Sequence, residues 1–280
     1  MNRKYYGMPY QGSKNLIARE ILAYLPSGDR FVDLFGGGGS MTDCAMHMYK
    51  WDRFLYNEIN PLVAKAFRMA LNGEFKDEKR WIDRETFKKL KDTDPYVAIC
   101  FSFGNNMTDY AYGEDVEPYK KALHYAWIFN DYSLLNELKE QGIENERLKL
   151  LQSLQAVKRI KDMENRERLN DLEITCDSYE NYEYKEGDVV YCDIPYETTN
   201  CKAYKGFDHK KFYDWCATRP YRVFFSSYEI SDNRFHRIME IEKRALMNTV
   251  GSGKLMIECL YTNEPYANIQ LISKQYELDL

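Results

Sequence analysis

The stretch FVDLFGGGGS, residues 31–40, constrains this chain more than any other. Arg30 to Leu34 reads as a short buried strand, Gly36 to Ser40 as a loop, and Met41 to Tyr49 as the opening of a helix. Four consecutive glycines are costly in chain entropy and are useful where side chains would obstruct, so the backbone here must come close to something bulky. In a strand, loop, helix context the natural occupant is a cofactor. Two common phosphate loops are excluded. Counted from Gly36 or Gly37, the sixth position of GxGxxG falls on Met41 or Thr42. A Walker loop fails at VGSGKL, where Leu255 follows Lys254 and Asn248 stands in place of the first glycine.

The same alternation continues on both sides of the loop. SKNLIAREILAYL at 13–25 predicts a first helix capped by Ser13, and RFLYNEI at 53–59 a second strand. NPLVAKAFRMALNG follows, with Asn60 able to cap, Pro61 suited to the first turn and Gly73 suited to the exit. After residue 186 come a strand at 188–193, a helix over 208–217, a strand at 221–227, and a final hairpin from EIEKRALM and KLMIECLYT. The expected fold class is α/β, a Rossmann-like, twisted, mostly parallel sheet with helices on both faces. Residues 74–175 differ in texture, being charged, aromatic-rich and mostly helical in pattern. They read as an inserted region between two parts of one domain, 1–73 and 176–280. Within the insert, residues 146–169 carry an apolar stripe that drifts around a helix and suits packing on its own domain, with a protein partner as the alternative.

Composition narrows the classes. With 44% apolar and 15% aromatic residues the chain can build a real core, and its longest apolar run is far short of the ~20 residues that a membrane span requires. The net charge of −5 argues against nucleic acid as a partner, because whole-chain basicity is the cheapest route to phosphate affinity, and leaves only a local basic groove for it. Seven cysteines without a CxxC pair, and a start lacking a signal-peptide core, point to reduced thiols and a cytoplasmic location. Four scattered histidines without HExxH or a cysteine cluster predict no metal site.

Acids at strand ends carry the chemical reading. Asp33 precedes the glycines and Glu58 closes the next strand. An acid at the second position can accept hydrogen bonds from both hydroxyls of a ribose, and one at the first can face a cationic amine. Sugar plus ammonium describes S-adenosylmethionine. A third acid, Asp193, stands where the strand GDVVYCD leaves its sheet, in YCDIPYETTN.

Four segments in order resemble the Dam-type, D12-class family of DNA adenine N6-methyltransferases, and the resemblance spans the chain. PYQGSK at 9–14 is similar to the family's amino-terminal motif, FVDLFGGGGS to its cofactor loop, NEIN at 57–60 to its ribose-binding turn, and DIPY at 193–196 to its catalytic DPPY. The resemblance implies that Tyr10, Gly12, Lys14, Asp33, Phe35, Gly36, Gly38, Ser40, Glu58, Ile59 and Asp193 contact S-adenosylmethionine. It makes Asp193, Ile194, Pro195 and Tyr196 the catalytic tetrapeptide, and the insert a target-recognition region. FSFGNN at 101–106 resembles the segment before the recognition elements, which places Asn105 and Asn106 near double-stranded DNA.

The chemistry suits these residue types. Two acceptors, the Asp193 carboxylate and the Ile194 carbonyl, would loosen the conjugated N6 lone pair of adenine and stabilise its growing positive charge. Pro195 fixes the backbone and Tyr196 offers a ring on which a flipped-out base can stack. Lys88, Lys89, Lys91, Lys120, Lys121, Arg244 and Lys254 are candidates for holding phosphates. Two departures matter: Ile194 replaces the first proline of DPPY, and Glu58 replaces the usual aspartate. Isoleucine there is also similar to the NIPY or NLPY of ribosomal RNA adenine methyltransferases, which keeps RNA open as a substrate. A non-catalytic nucleic-acid-binding relative is a further alternative, although such a binder has no use for acids at 33, 58 and 193. No cysteine follows a proline, which argues against covalent cytosine methylation.

Overall fold

The computed structural model describes residues 5–141, 152–163, 168–197, 206–244 and 255–263, and the chain divides into two compact units. The first unit comprises the described residues up to Tyr6, Lys14–Asn60, and those from 168 onward. The second comprises Gly7–Ser13 and the described residues of Pro61–Arg166.

The first unit is built on seven strands: β1 (Gly28–Asp33), β2 (Trp51–Asn57), β3 (Leu172–Thr175), β4 (Asp188–Asp193), β5 (Val223–Ser227), β6 (His236–Arg244) and β7 (Leu255–Thr262). They form one sheet in the order β3-β2-β1-β4-β5-β7-β6. Pairs from β3 through β5 are parallel, and β7 runs antiparallel between β5 and β6. The strand order reverses between β1 and β4, and in such sheets ligands bind outside the carboxyl ends of the strands at that point. Asp33, Glu58 and Asp193 all lie at those ends.

Strand periodicity of two sorts the side chains onto opposite faces. Phe31, Tyr191, Phe224 and Leu260 pack with Ala18, Ile21 and Leu22 of α1 (Ala18–Tyr24) and with Met41, Cys44 and Ala45 of α2 (Ser40–Met46). Val32, Val190, Cys192 and Phe225 pack on the other face against Phe212, Trp215 and Cys216 of a helix spanning His209–Ala217. Asp33, Asp193 and Glu258 share the parity of the first set, which puts them on the α1 side. At the opposite rim, Arg30 clamps Asp188 through two hydrogen bonds of 2.8 Å.

The first helix differs from expectation. It begins at Ala18, with no side-chain cap, and Ser13 belongs to the other unit. Lys14 explains the delay: its backbone N–H donates to Ser40 Oγ, while its carbonyl accepts from Ile17 and Ala18. β3 has no counterpart in the sequence pattern either, because its four residues at the sheet edge, three half-buried and Glu173 exposed, carry little apolar alternation.

The described part of the second unit is helical: α3 (Pro61–Leu71), α4 (Arg84–Leu90), α5 (Pro95–Cys100), α6 (Glu117–Phe129), α7 (Ser133–Glu140) and α8 (Gln152–Lys161). The helix over His209–Ala217 is therefore α9. Sequence order placed α3 with the sheet, but its buried face, Val63, Ala66, Phe67 and Ala70, packs on α5 within the second unit. Trp81, Tyr96, Phe101, Tyr112 and His124 form an aromatic centre there. Of the drifting stripe, Val157, Ile160 and Met163 are buried, as packing on its own unit requires, while Leu148 and Leu151 lie outside the described residues.

Candidate active site

The glycine loop is held against the end of β2. Gly36 N–H donates to the Asn57 carbonyl at 2.8 Å, Asn57 Nδ2 donates to the Leu34 carbonyl at 3.1 Å, and the Tyr56 hydroxyl donates to the Gly37 carbonyl at 2.7 Å. A Cβ on Gly36 would sit 2.2 Å from the buried Tyr56 ring. The bulky neighbour that demands glycine at this position is thus part of the chain itself. Gly39 adopts φ of 72° at the entry to α2, a left-handed conformation that suits glycine. Phe35 packs among Tyr179, Phe207 and Phe212, and Ser40 Oγ accepts from Lys14.

Glu58 braces the same loop. One carboxylate oxygen accepts from Gly37 N–H at 2.8 Å and the other from Asn60 N–H at 2.9 Å. Burial raises its pKa, and these two amides pull it back down in part. Each oxygen retains a second acceptor lobe, so the two ribose hydrogen bonds expected of this acid remain chemically available. Ile59, the next residue, is exposed.

Asp33 is buried, and its Oδ2 accepts from Thr42 Oγ1 at 2.9 Å. Its Oδ1 is buried with no hydrogen-bond partner among the described residues. Burial pushes the Asp33 carboxyl up to about 7; the Thr42 hydroxyl and the Phe35 amide oppose the rise, and the nearby charges of Asp193 and Glu58 add to it. An ammonium group at this acid would supply both a missing donor and the charge that favours its ionised form. The donor set therefore fits a ligand carrying a cationic amine and a sugar.

Asp193 ends β4, and its Oδ1 lies 2.6 Å from Lys14 Nζ, with the lysine side chain 4% exposed and the aspartate 19%. Lys14 also sits 3.7 Å from Glu258 Oε1 and 4.7 Å from the centroid of the Tyr196 ring. Burial lowers the lysine pKa, but Asp193 and Glu258 outweigh it and the net shift is upward. The Tyr196 hydroxyl donates to Glu258, and its ring meets that of Tyr228 edge-on at 4.4 Å. Tyr196 is buried. Ile194 packs its side chain into the core beneath.

Three neighbouring residues, His209, Tyr213 and Glu258, carry no motif signal. His209 has Nε2 2.6 Å from the Pro195 carbonyl; that oxygen only accepts, so the ring donates. It stands in the first turn of α9, whose cap is Asp208 accepting from Lys211 N–H. Tyr213, on the next turn, donates to Glu197 at 2.8 Å. Glu258 reaches the site from β7, the most distant part of the described chain, and only the antiparallel pairing of β7 with β5 brings it there.

Tyr10 and Gly12 belong to the second unit, where the Tyr10 carbonyl accepts from Ser13 N–H. Gly38 lies in the loop between Gly37 and Gly39. Asn105 and Asn106 build a turn: Asn105 Nδ2 donates to the Ile99 carbonyl, and Asn106 Oδ1 accepts from Thr108 and Asp109 N–H. Lys120 is nearly buried in α6, and burial lowers its pKa, so it is poorly placed for a phosphate. Lys121 is exposed over the Tyr125 ring, Lys88 pairs with Glu85, and Lys91 with Asp92. Arg244 ends β6 opposite Leu255, and Lys254 lies outside the described residues. Among the described residues no group of three His, Cys, Asp or Glu is disposed to hold a metal, and no helix is long and apolar enough to cross a membrane.

No curated protein sequence matches the chain. The profile of the D12 class N6 adenine-specific DNA methyltransferase family matches residues 10–241, which include the glycine loop, Glu58 and the Asp193 tetrapeptide. The chain belongs to the D12 class of N6 adenine-specific DNA methyltransferases, enzymes that methylate adenine N6 in DNA.

Proposed function

We propose that the methyl donor is S-adenosylmethionine, held at the carboxyl ends of β1 and β2, and that Asp193 and Ile194 activate the adenine amine. The observation that carries this reading is the gathering of Asp33, Glu58 and Asp193, from the ends of three adjacent parallel strands, on one edge of the sheet. Asp33 would take the amine of the donor, Glu58 its ribose, and the backbone of Gly36 to Ser40 would line its path. When bound, S-adenosylmethionine supplies a sulfonium methyl group already electrophilic enough to be attacked.

The chain's own task is then to prepare the nucleophile and align it. The Asp193 carboxylate and the Ile194 carbonyl accept the two N6 hydrogens, favouring a pyramidal nitrogen and stabilising the positive charge that grows as its lone pair is used. His209 steadies the peptide after Ile194 by donating to the Pro195 carbonyl. Tyr196 supplies the ring for the base, a contact worth about 1–3 kcal/mol in comparable cases. An adenine inside a duplex cannot reach these acceptors, so it is flipped out at a cost of a few kcal/mol. Alignment in a dry site can contribute about 7–11 kcal/mol of rate enhancement.

The helical second unit, with its exposed Lys88, Lys89 and Lys121, is proposed as the target-recognition region. The test is transfer of labelled methyl groups from S-adenosylmethionine to adenine in duplex DNA, followed by mapping of the modified base. Label appearing only in RNA, or in DNA cytosine, would overturn the assignment.

A further inference from the structure

Glu258 is fully buried on β7, and a buried carboxylate pays several kcal/mol of desolvation unless its partners compensate. Two groups of the proposed reaction centre are among its partners: it accepts from the Tyr196 hydroxyl, and its Oε1 lies 3.7 Å from Lys14 Nζ. Lys14 is at the same time 2.6 Å from Asp193 Oδ1. One ammonium is therefore shared between two acids with different duties. Asp193 has to accept a hydrogen from the adenine amine, and its affinity for that weak donor is reduced while a lysine ammonium holds one of its oxygens. Were Asp193 the sole counter-ion, its engagement with the base would leave a buried cation poorly compensated. Glu258 is placed to prevent that.

We propose that Glu258 is a positioning residue with two roles: it fixes the Tyr196 ring through the phenol, and it is the resident counter-ion of Lys14 that lets Asp193 turn to the adenine amine. The inference rests on the reading of Asp193 as the amine acceptor. It adds that the lysine passes from Asp193 toward Glu258 as the base enters.

The groups facing Lys14 are Asp193 at the end of β4, Tyr196 just beyond it, Tyr228 after β5, and Glu258 on β7. Against the desolvation of the buried ammonium, Asp193 most, then Glu258, and to a lesser extent Tyr228 favour the charged lysine. Replacing Glu258 by a neutral side chain thus moves Lys14 deprotonation to lower pH.

The deciding variant is Glu258→Gln, which keeps an oxygen to accept from Tyr196 but removes the charge. We expect its kcat to fall about tenfold, the loss of one charge-assisted contact, with the KM for DNA little changed. The alkaline limb of its kcat profile should move to lower pH, and lysine side-chain NMR should show Lys14 losing its proton earlier by the same interval. Glu258→Asp, which keeps the charge, should restore the alkaline limb. Tyr196→Phe should lower kcat while leaving the Lys14 titration where it is. A Lys14 titration unmoved in Glu258→Gln overturns the counter-ion role, and unchanged kcat in Tyr196→Phe overturns the anchoring role even if Glu258→Gln does not fold. The NMR titration needs no activity. A wild-type protein that transfers no methyl group but shows the Lys14 shift therefore rejects the proposed function and leaves the electrostatic arrangement standing.

Discussion

Lys14, just ahead of the first helix, and Asp193, at the end of the fourth strand, form a 2.6 Å ion pair in which the lysine is almost wholly withdrawn from solvent. The pair joins the segment just before α1 to the DIPY segment at the end of β4, on the α1 side of the sheet. Asp193→Ala is expected to reduce methyl transfer by at least about 100-fold, the scale seen when one preorganised transition-state partner is removed. Its affinity for DNA should be retained, because the lysine keeps Glu258 as a partner. Filter binding alongside methyl transfer checks this; a variant with near-normal turnover would remove Asp193 from the chemistry.

Gly36 is confined by Tyr56, whose ring is buried and whose hydroxyl is tied to the Gly37 carbonyl, so the ring cannot swing aside. Gly36→Ala should destabilise the protein by about 1–3 kcal/mol through overpacking. It should also weaken S-adenosylmethionine binding by displacing the loop. Combining it with Tyr56→Leu, which opens the space, should recover part of both losses in thermal unfolding and calorimetric titration. Failure of that rescue would show that the cost is not steric.

The pH response follows from Asp33. Its carboxyl is raised to about 7 in the folded protein and titrates near 3.8 when exposed. Between these values the folded state holds a proton that the unfolded state has released, so stability contributed by this group declines as pH rises from about 4 to about 7, each unit of separation being worth about 1.4 kcal/mol. In Asp33→Asn the stability profile should lose this slope, as read from urea midpoints across that range. Binding of an ammonium ligand should show the converse trend, tightening as pH rises through about 7, because the ionised acid is the form that attracts it. S-adenosylmethionine affinity that is flat between pH 6 and 8 (about one unit either side of that value) would place its amine elsewhere.

His209→Ala removes the donor to the Pro195 carbonyl and leaves α9 capped by Asp208. Loss of one hydrogen bond of about 0.5–1.5 kcal/mol predicts a fall in kcat of up to about tenfold with little change in thermal midpoint. His209→Gln, which can still donate, should recover part of it. Equal losses in both variants, accompanied by a lower midpoint, would mean that the ring serves packing rather than the tetrapeptide.

What the sequence determined by itself was whatever depends on neighbours along the chain. Alternating strand and helix periods specified an α/β sheet, the glycine run marked a loop at a strand end, and Asp33, Glu58 and Asp193 stood out because acids at the ends of apolar strands are chemically conspicuous. Tertiary structure alone decided which groups complete the site. Glu258 sits in an ordinary strand pattern, KLMIECLYT, and becomes significant only because β7 enters the sheet beside β5 and carries it to Lys14 and Tyr196. His209 carries no motif in sequence and reaches Pro195 only through the packing of α9, and α3, which follows β2 in chain order, lays its apolar face on α5. Helical and strand periods are local and can be read from adjacent residues. Shared protons, counter-ions and a buried orphan oxygen arise between residues far apart in sequence, and the folded chain sets their distances.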